Sequence, residues 1–143
     1  MLVDANLLVY AVHLQFEAHE RARDWLDDRL NGEERVGLPW GALLAFLRLS
    51  SSPRVMSRPM PLRDAAGVVR AWLELPNTWV PQPTERHAET LAGLLEPETK
   101  AELVPDAHLA ALAIEHGLLL CSTDRDFARF ESLRWADPLR STA

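Results

Sequence analysis

Leu118-Leu119-Leu120-Cys121 carries no polar residue on either face, and this run constrains the fold more than any other segment. A strand with one face in water alternates apolar and polar residues. A strand without alternation has to be covered on both faces, as in the parallel sheets of α/β proteins. Leu2-Val3, Arg35-Val36-Gly37-Leu38, Trp79-Val80 and Leu133-Arg134-Trp135 are further short runs that read as strands. Between them the period changes. From Phe16 to Leu30, the residues Ala18, Ala22, Trp25, Leu26 and Leu30 recur at spacings of three and four, and Asn31-Gly32 closes this amphipathic helix. Ala5 to His13 is helix-compatible, Pro39 opens an apolar helix through Leu49, and Leu62 to Leu75 is amphipathic. Thr84 is expected to cap a helix from Glu85 to about Leu95. Pro105-Asp106 opens one with Leu109, Leu112, Ala113 and His116 on one face, ended by Gly117, and Asp124 to Phe130 reads as a short helix. With no repeat or low-complexity tract, the alternation predicts one α/β domain over residues 1–143, three-layered, with a short-stranded parallel sheet flanked by helices.

Composition narrows the function. A 48% hydrophobic share is too high for a disordered chain, and no run approaches the roughly 18 apolar residues of a membrane span. The opening Met-Leu-Val-Asp lacks a basic, apolar leader, and the lone Cys121 excludes an internal disulfide framework; both lead us to expect a cytoplasmic protein. The net charge of −6 excludes simple electrostatic binding of nucleic acid, so such a role requires a local basic patch. Of the 15 basic residues, 14 are Arg, which suits bidentate recognition of phosphate and equally fits a genome-wide codon preference.

The acids fall where chemistry is expected. Asp4 follows the first strand, Asp124 and Asp126 follow Leu118–Cys121, and Asp106 stands in the first turn of a helix. In an open parallel sheet the residues past the carboxyl ends of the strands converge on one crevice. Facing carboxylates repel, so the group needs protons, Arg or a cation; Mg²⁺, which takes one or two carboxylates and shares its shell with phosphate, is the leading candidate. Taken singly, Asp4, Asp106 and Asp124 are equally well read as helix caps. Asp126 is more than one cap needs, and Asn6 sets a second polar side chain beside Asp4.

Four segments, in order along nearly the whole chain, resemble the PIN-domain ribonucleases, specifically the VapC-type toxins of toxin-antitoxin pairs. They are Met1–Tyr10; Leu38–Leu49 with Pro53-Arg54-Val55; Leu103-Val-Pro-Asp-Ala-His-Leu-Ala-Ala-Leu112; and Ser122-Thr-Asp-Arg-Asp-Phe127. The resemblance implies a PIN fold, an endoribonuclease dependent on Mg²⁺ or Mn²⁺, products with 5′-phosphate and 3′-hydroxyl ends, a cognate VapB-like antitoxin and a homodimer. Position by position it assigns metal binding to Asp4, Asp106 and Asp124, with Asp126 as a further catalytic acid and Asn6 and Thr123 orienting the carboxylates. Arg48, Arg54 and Arg125, with Arg58 and Arg129, are candidates for the RNA backbone. One departure stands out: where such nucleases commonly carry a Glu in the helix after the second strand, this chain has Ala45, with no acid from Gly37 to Ser52. The alternative reading is therefore an interaction module weak or inactive in catalysis, or a site that recruits Glu102.

Other residues read as structure. Trp25, Trp40, Trp72 and Trp79 sit in apolar patterns and are expected in the core or an interface, and His108, without a second His at ligand spacing, on a helix surface. Pro53 to Leu62, with Met56 and Met60, reads as a groove edge for an antitoxin helix or as a plain loop. An aspartyl-phosphate phosphatase would need a second Asp where Asn6 stands, and a phospho-receiver would need a Lys that Lys100, in a loop, does not supply.

Overall fold

The computed structural model describes residues 1–140; residues 141–143, the end of the expected domain, lie outside the described residues. Five two-residue strands form one sheet: β1 (Leu2–Val3), β2 (Val36–Gly37), β3 (Thr78–Trp79), β4 (Leu120–Cys121) and β5 (Trp135–Ala136). Their order is β3-β2-β1-β4-β5 and every pairing is parallel, with Leu2 opposite both Gly37 and Leu120. The chain starts in the middle, builds outward through β2 and β3, then crosses to the other side of β1. The point where the direction of winding reverses lies between β1 and β4.

Six helices cover the sheet: α1 (Ala5–Val12), α2 (His19–Leu30), α3 (Trp40–Ser50), α4 (Leu62–Leu73), α5 (His87–Leu94) and α6 (Val104–Glu115). Successive side chains of a strand point to opposite faces, and the core divides accordingly. Val3 and Cys121 join Leu7, Leu8, Leu43 and Phe46 beneath α1 to α4, whereas Leu2 and Leu120 join Leu109, Leu112, Phe127 and Phe130 beneath α6. This is the three-layer parallel arrangement that the unalternating strands demand.

Several boundaries shift for local reasons. Helix α2 starts at His19, not Phe16, because Phe16 packs its ring on Tyr10 with centroids 5.0 Å apart. Leu118 donates its N–H to the Ala113 carbonyl in the turn after α6, so the ladder starts only at Leu120. Thr84 does not cap α5; its hydroxyl accepts from the Arg86 N–H and reaches Glu115, and the helix begins at His87. The segment after Asp124 is a 3-10 turn over Arg125–Arg129. Trp72 is buried and packs on Phe46 at 4.9 Å, while Trp40 is 44% exposed. Met56 is core, and Gln15 ties its loop down through Val55 and Ser57.

Candidate active site

β1 and β4 deliver their polar followers to the same end of the sheet. Asp4 caps α1: one carboxylate oxygen accepts from the Ala5 N–H at 2.7 Å, and the other accepts from the Ser122 hydroxyl at 2.8 Å. Ser122 is fully buried. Its oxygen also accepts from the Asn6 amide at 3.1 Å and from the Asp124 N–H at 3.0 Å. A hydroxyl offers one donor and two acceptor positions, so Ser122 is saturated. It fixes Asp4, Asn6 and the start of the β4 turn to one another. Asp124 in turn caps the 3-10 turn, accepting from the Asp126 N–H at 2.9 Å.

Asp106 comes from the opposite layer, in the first turn of α6, whose entry Pro105 favours. Asp106, Asp124 and Asp126 each offer one carboxylate oxygen, and these three atoms lie within 4.8 Å of one another. Burial, then the charges of Asp124, Asp4 and Asp126, push the Asp106 carboxyl up to about 6, against a smaller opposing pull from Arg129. Asp4 is also raised, chiefly by burial, against its hydrogen bonds from Ser122 and Ala5, with the Asp124 charge adding to the rise. Arg129 offsets only part of the negative charge of this group. Oxygen donors gathered at this spacing, with one member driven toward protonation by its neighbours, fit a hard divalent cation.

The sequence expectations are met unevenly. Asp106 and Asp124 converge, and Asp126, expected only as an additional acid, is the third member of the group. Asp4, expected to bind metal directly, stands beside it with both oxygens already accepting hydrogen bonds. Asn6 orients the site through Ser122. Thr123 meets the site through its backbone, its N–H donating to the Asn6 side-chain oxygen at 3.5 Å, and the residue also lines a neighbouring cleft. The residue missed is Ser122, whose signal was a polar side chain directly after a fully apolar strand. Glu102 is exposed and outside the group, and Ala45 is half-buried in α3, so the three carboxylates assemble without an acid from that helix. Arg125 is exposed on the turn that carries Asp124 and Asp126, and Arg129 is near enough to act on Asp106. Arg48 and Arg54 are exposed at and beyond the far end of α3, Arg48 roughly 12 Å along the axis from Trp40 at 1.5 Å per residue. His108 bonds through Nδ1 to His87 at 3.0 Å, and His87 bonds to Glu115, so the three clip α5 to α6.

Sheet, layers and crevice define an α/β protein built around a carboxylate site at its topological switch point. The PIN domain family matches residues 1–133. Ribonuclease VapC37 of Mycobacterium tuberculosis is 47% identical over 138 residues, 96% of each chain. Ribonuclease VapC33 of the same organism is 44% identical over 141 residues, 98% of this chain and 99% of its own. The crystal structure of VapBC2 from Rickettsia felis, bound to a DNA fragment from its promoter, contains a chain of the same fold. It superposes with a TM-score of 0.62 at 14% identity, over 94% of this chain and 96% of that one. This chain belongs to the PIN-domain family and, within it, to the VapC ribonucleases.

Proposed function

We propose that this chain is one PIN domain acting as a metal-dependent endoribonuclease toxin of the cytoplasm, restrained by a cognate VapB-like antitoxin and working as a homodimer. The observation that carries the reading is the convergence of Asp106, Asp124 and Asp126 beside Asp4, in a chain 47% identical to a VapC ribonuclease. Mg²⁺, or Mn²⁺, would be held by Asp106 and Asp124 with Asp126 or Asp4 completing the carboxylate set; when bound it supplies positive charge to the scissile phosphate and makes a nearby water more acidic. The chain's own residues do the positioning. Ser122 and Asn6 fix Asp4, Asp124 is locked by its bond to the Asp126 N–H, and a carboxylate of the cluster takes the proton of the attacking water. Hydrolysis then breaks the bond from phosphorus to the 3′-oxygen, leaving 5′-phosphate and 3′-hydroxyl ends. Arg125 and Arg129 flank the site and carry the RNA backbone past the acids; Arg48 and Arg54 serve more distant phosphates. The inactive-module reading prompted by Ala45 is not favoured, because the acid group forms without that position.

The test is incubation of a folded RNA mixture with the protein in Mg²⁺, in Mn²⁺ and in EDTA. Cleavage in the metals alone, with ends that a 5′-phosphate-dependent exonuclease digests, is expected. Cleavage that persists in EDTA would remove the metal from the account.

A further inference from the structure

Thr123 stands between Ser122, which holds Asp4, and Asp124, and it lines a cleft of about 680 Å³. The cleft adjoins the acid-bearing turn through Thr123, the residue before Asp124. Tyr10 lies one helical turn beyond Asn6 on α1, so both share a face that runs from the acids into this space. Phe16 packs on Tyr10 and lines the same wall. Opposite, Arg21 is fixed by a 2.8 Å bond from one terminal guanidinium nitrogen to the Leu139 carbonyl, which leaves most of its five N–H donors for other partners. Arg140 adds a second guanidinium to the rim, and the carboxylates of Glu17 and Asp137 balance the charge.

We propose that this cleft is the subsite for the nucleotide adjoining the scissile phosphate, with the base against Tyr10 and its phosphate on Arg21 and Arg140. Its chemistry complements the acid group: aromatic rings take the face of any base, planar guanidinium takes phosphate, and the two acids accept from the amino edge of a base. The volume suits one nucleotide and is within the range of small-molecule pockets. A single strand bound there leaves the next phosphate at the carboxylates, so the cleft sets which linkage is presented. The inference rests on the ribonuclease reading of the neighbouring site.

Affinity for a short fluorescein-labelled single-stranded RNA of mixed sequence, measured by anisotropy in EDTA, tests it, together with KM and kcat for RNA cleavage in Mg²⁺. Arg21→Gln and Tyr10→Leu are each expected to weaken binding about tenfold or more, the effect of losing one stacking or charged contact, and to raise KM more than they lower kcat. Tyr10→Phe, which keeps the ring, is expected to restore binding and guards against a folding artefact. Unchanged affinity and KM in both loss variants, with normal cleavage, would overturn the subsite and leave the nuclease standing. RNA binding that depends on Arg21 in a protein that never cleaves would leave the cleft an RNA-binding site but overturn its role beside a scissile phosphate, together with the nuclease reading. Retained RNA affinity with loss of the co-encoded partner would overturn the proposal in favour of a protein-binding cleft.

Discussion

Ser122 is the residue on which the geometry of the acids turns, although it carries no charge. Ser122→Ala leaves an Asp4 oxygen, the Asn6 amide and the Asp124 N–H without their shared partner in a buried place. The expected cost is about 1–3 kcal/mol in urea denaturation, with a larger proportional loss of RNA cleavage because Asp4 and the Asp124 turn are both released. Asp4, Asp124 and Asp126 were legible because an Asp just past an apolar strand is placed by the sheet itself, and Asp106 because it stands beside Pro105 in the first turn of a helix. Ser122 was not, since in Cys-Ser-Thr-Asp successive side chains of extended chain point to opposite sides, and the sequence does not say which of Ser122 and Thr123 meets the acids. Asp106 supplies a second prediction at this scale. Its carboxyl is raised to about 6 in the folded protein, from 3.8, so the folded state holds the proton more tightly than the unfolded one. The resulting stabilisation is present at low pH and is lost as pH rises from about 4 through 6, on the order of 1 kcal/mol once solvent screening is allowed for. Thermal melts of the metal-free protein should fall across that window, and added Mg²⁺ should reverse the fall above pH 6. A flat profile would show that neither burial nor its acidic neighbours raise Asp106.

Among the glycines, Gly37 in β2 has the least room for a side chain. A Cβ at Gly37 would sit 2.9 Å from a Pro81 ring carbon and 3.0 Å from the Met1 carbonyl oxygen, and the second of these is backbone of the central strand. Gly37→Ala should therefore destabilise by about 1–3 kcal/mol, read as a lower urea midpoint at unchanged slope. A neutral result would mean that β1 and β2 can separate without cost. The order of strands and helices was legible throughout, because buried strands and amphipathic helices have different periods. Their ends were not. Strands two residues long are bounded by ladder partners far away in sequence, and the N–H of Leu118 is diverted to Ala113. Likewise Phe16 fits the helical period of α2, but its ring is claimed by Tyr10 across the turn. The His87–Glu115 bond and the His87–His108 bond, a junction of two helices, left no trace in the spacing of any one of them.

At the scale of the whole molecule, the sheet places an acid from each side of its switch point in one crevice, although the chain as a whole carries a charge of −6. That convergence was inferred from parallel topology alone, and the parallel pairing of β1 with β4 is what brings Asp4 to the Asp124 turn. The surface also presents an apolar cleft between α3 and α4, lined by Trp40, Leu47, Val69 and Leu73, with Leu44 58% exposed nearby. Light scattering of the protein alone is expected to give a dimer, and addition of the co-encoded small protein a larger complex; a monomer that ignores that neighbour would contradict both proposed partners. The most direct test of the central claim compares the wild type with Asp106→Asn in one experiment, following Mn²⁺ binding by calorimetry and RNA cleavage on the same preparations. The predicted result is that the variant, still folded, binds Mn²⁺ at least about tenfold more weakly and loses cleavage with it, as expected when one of few carboxylate ligands is neutralised. Wild-type cleavage and metal affinity retained by Asp106→Asn would contradict the account.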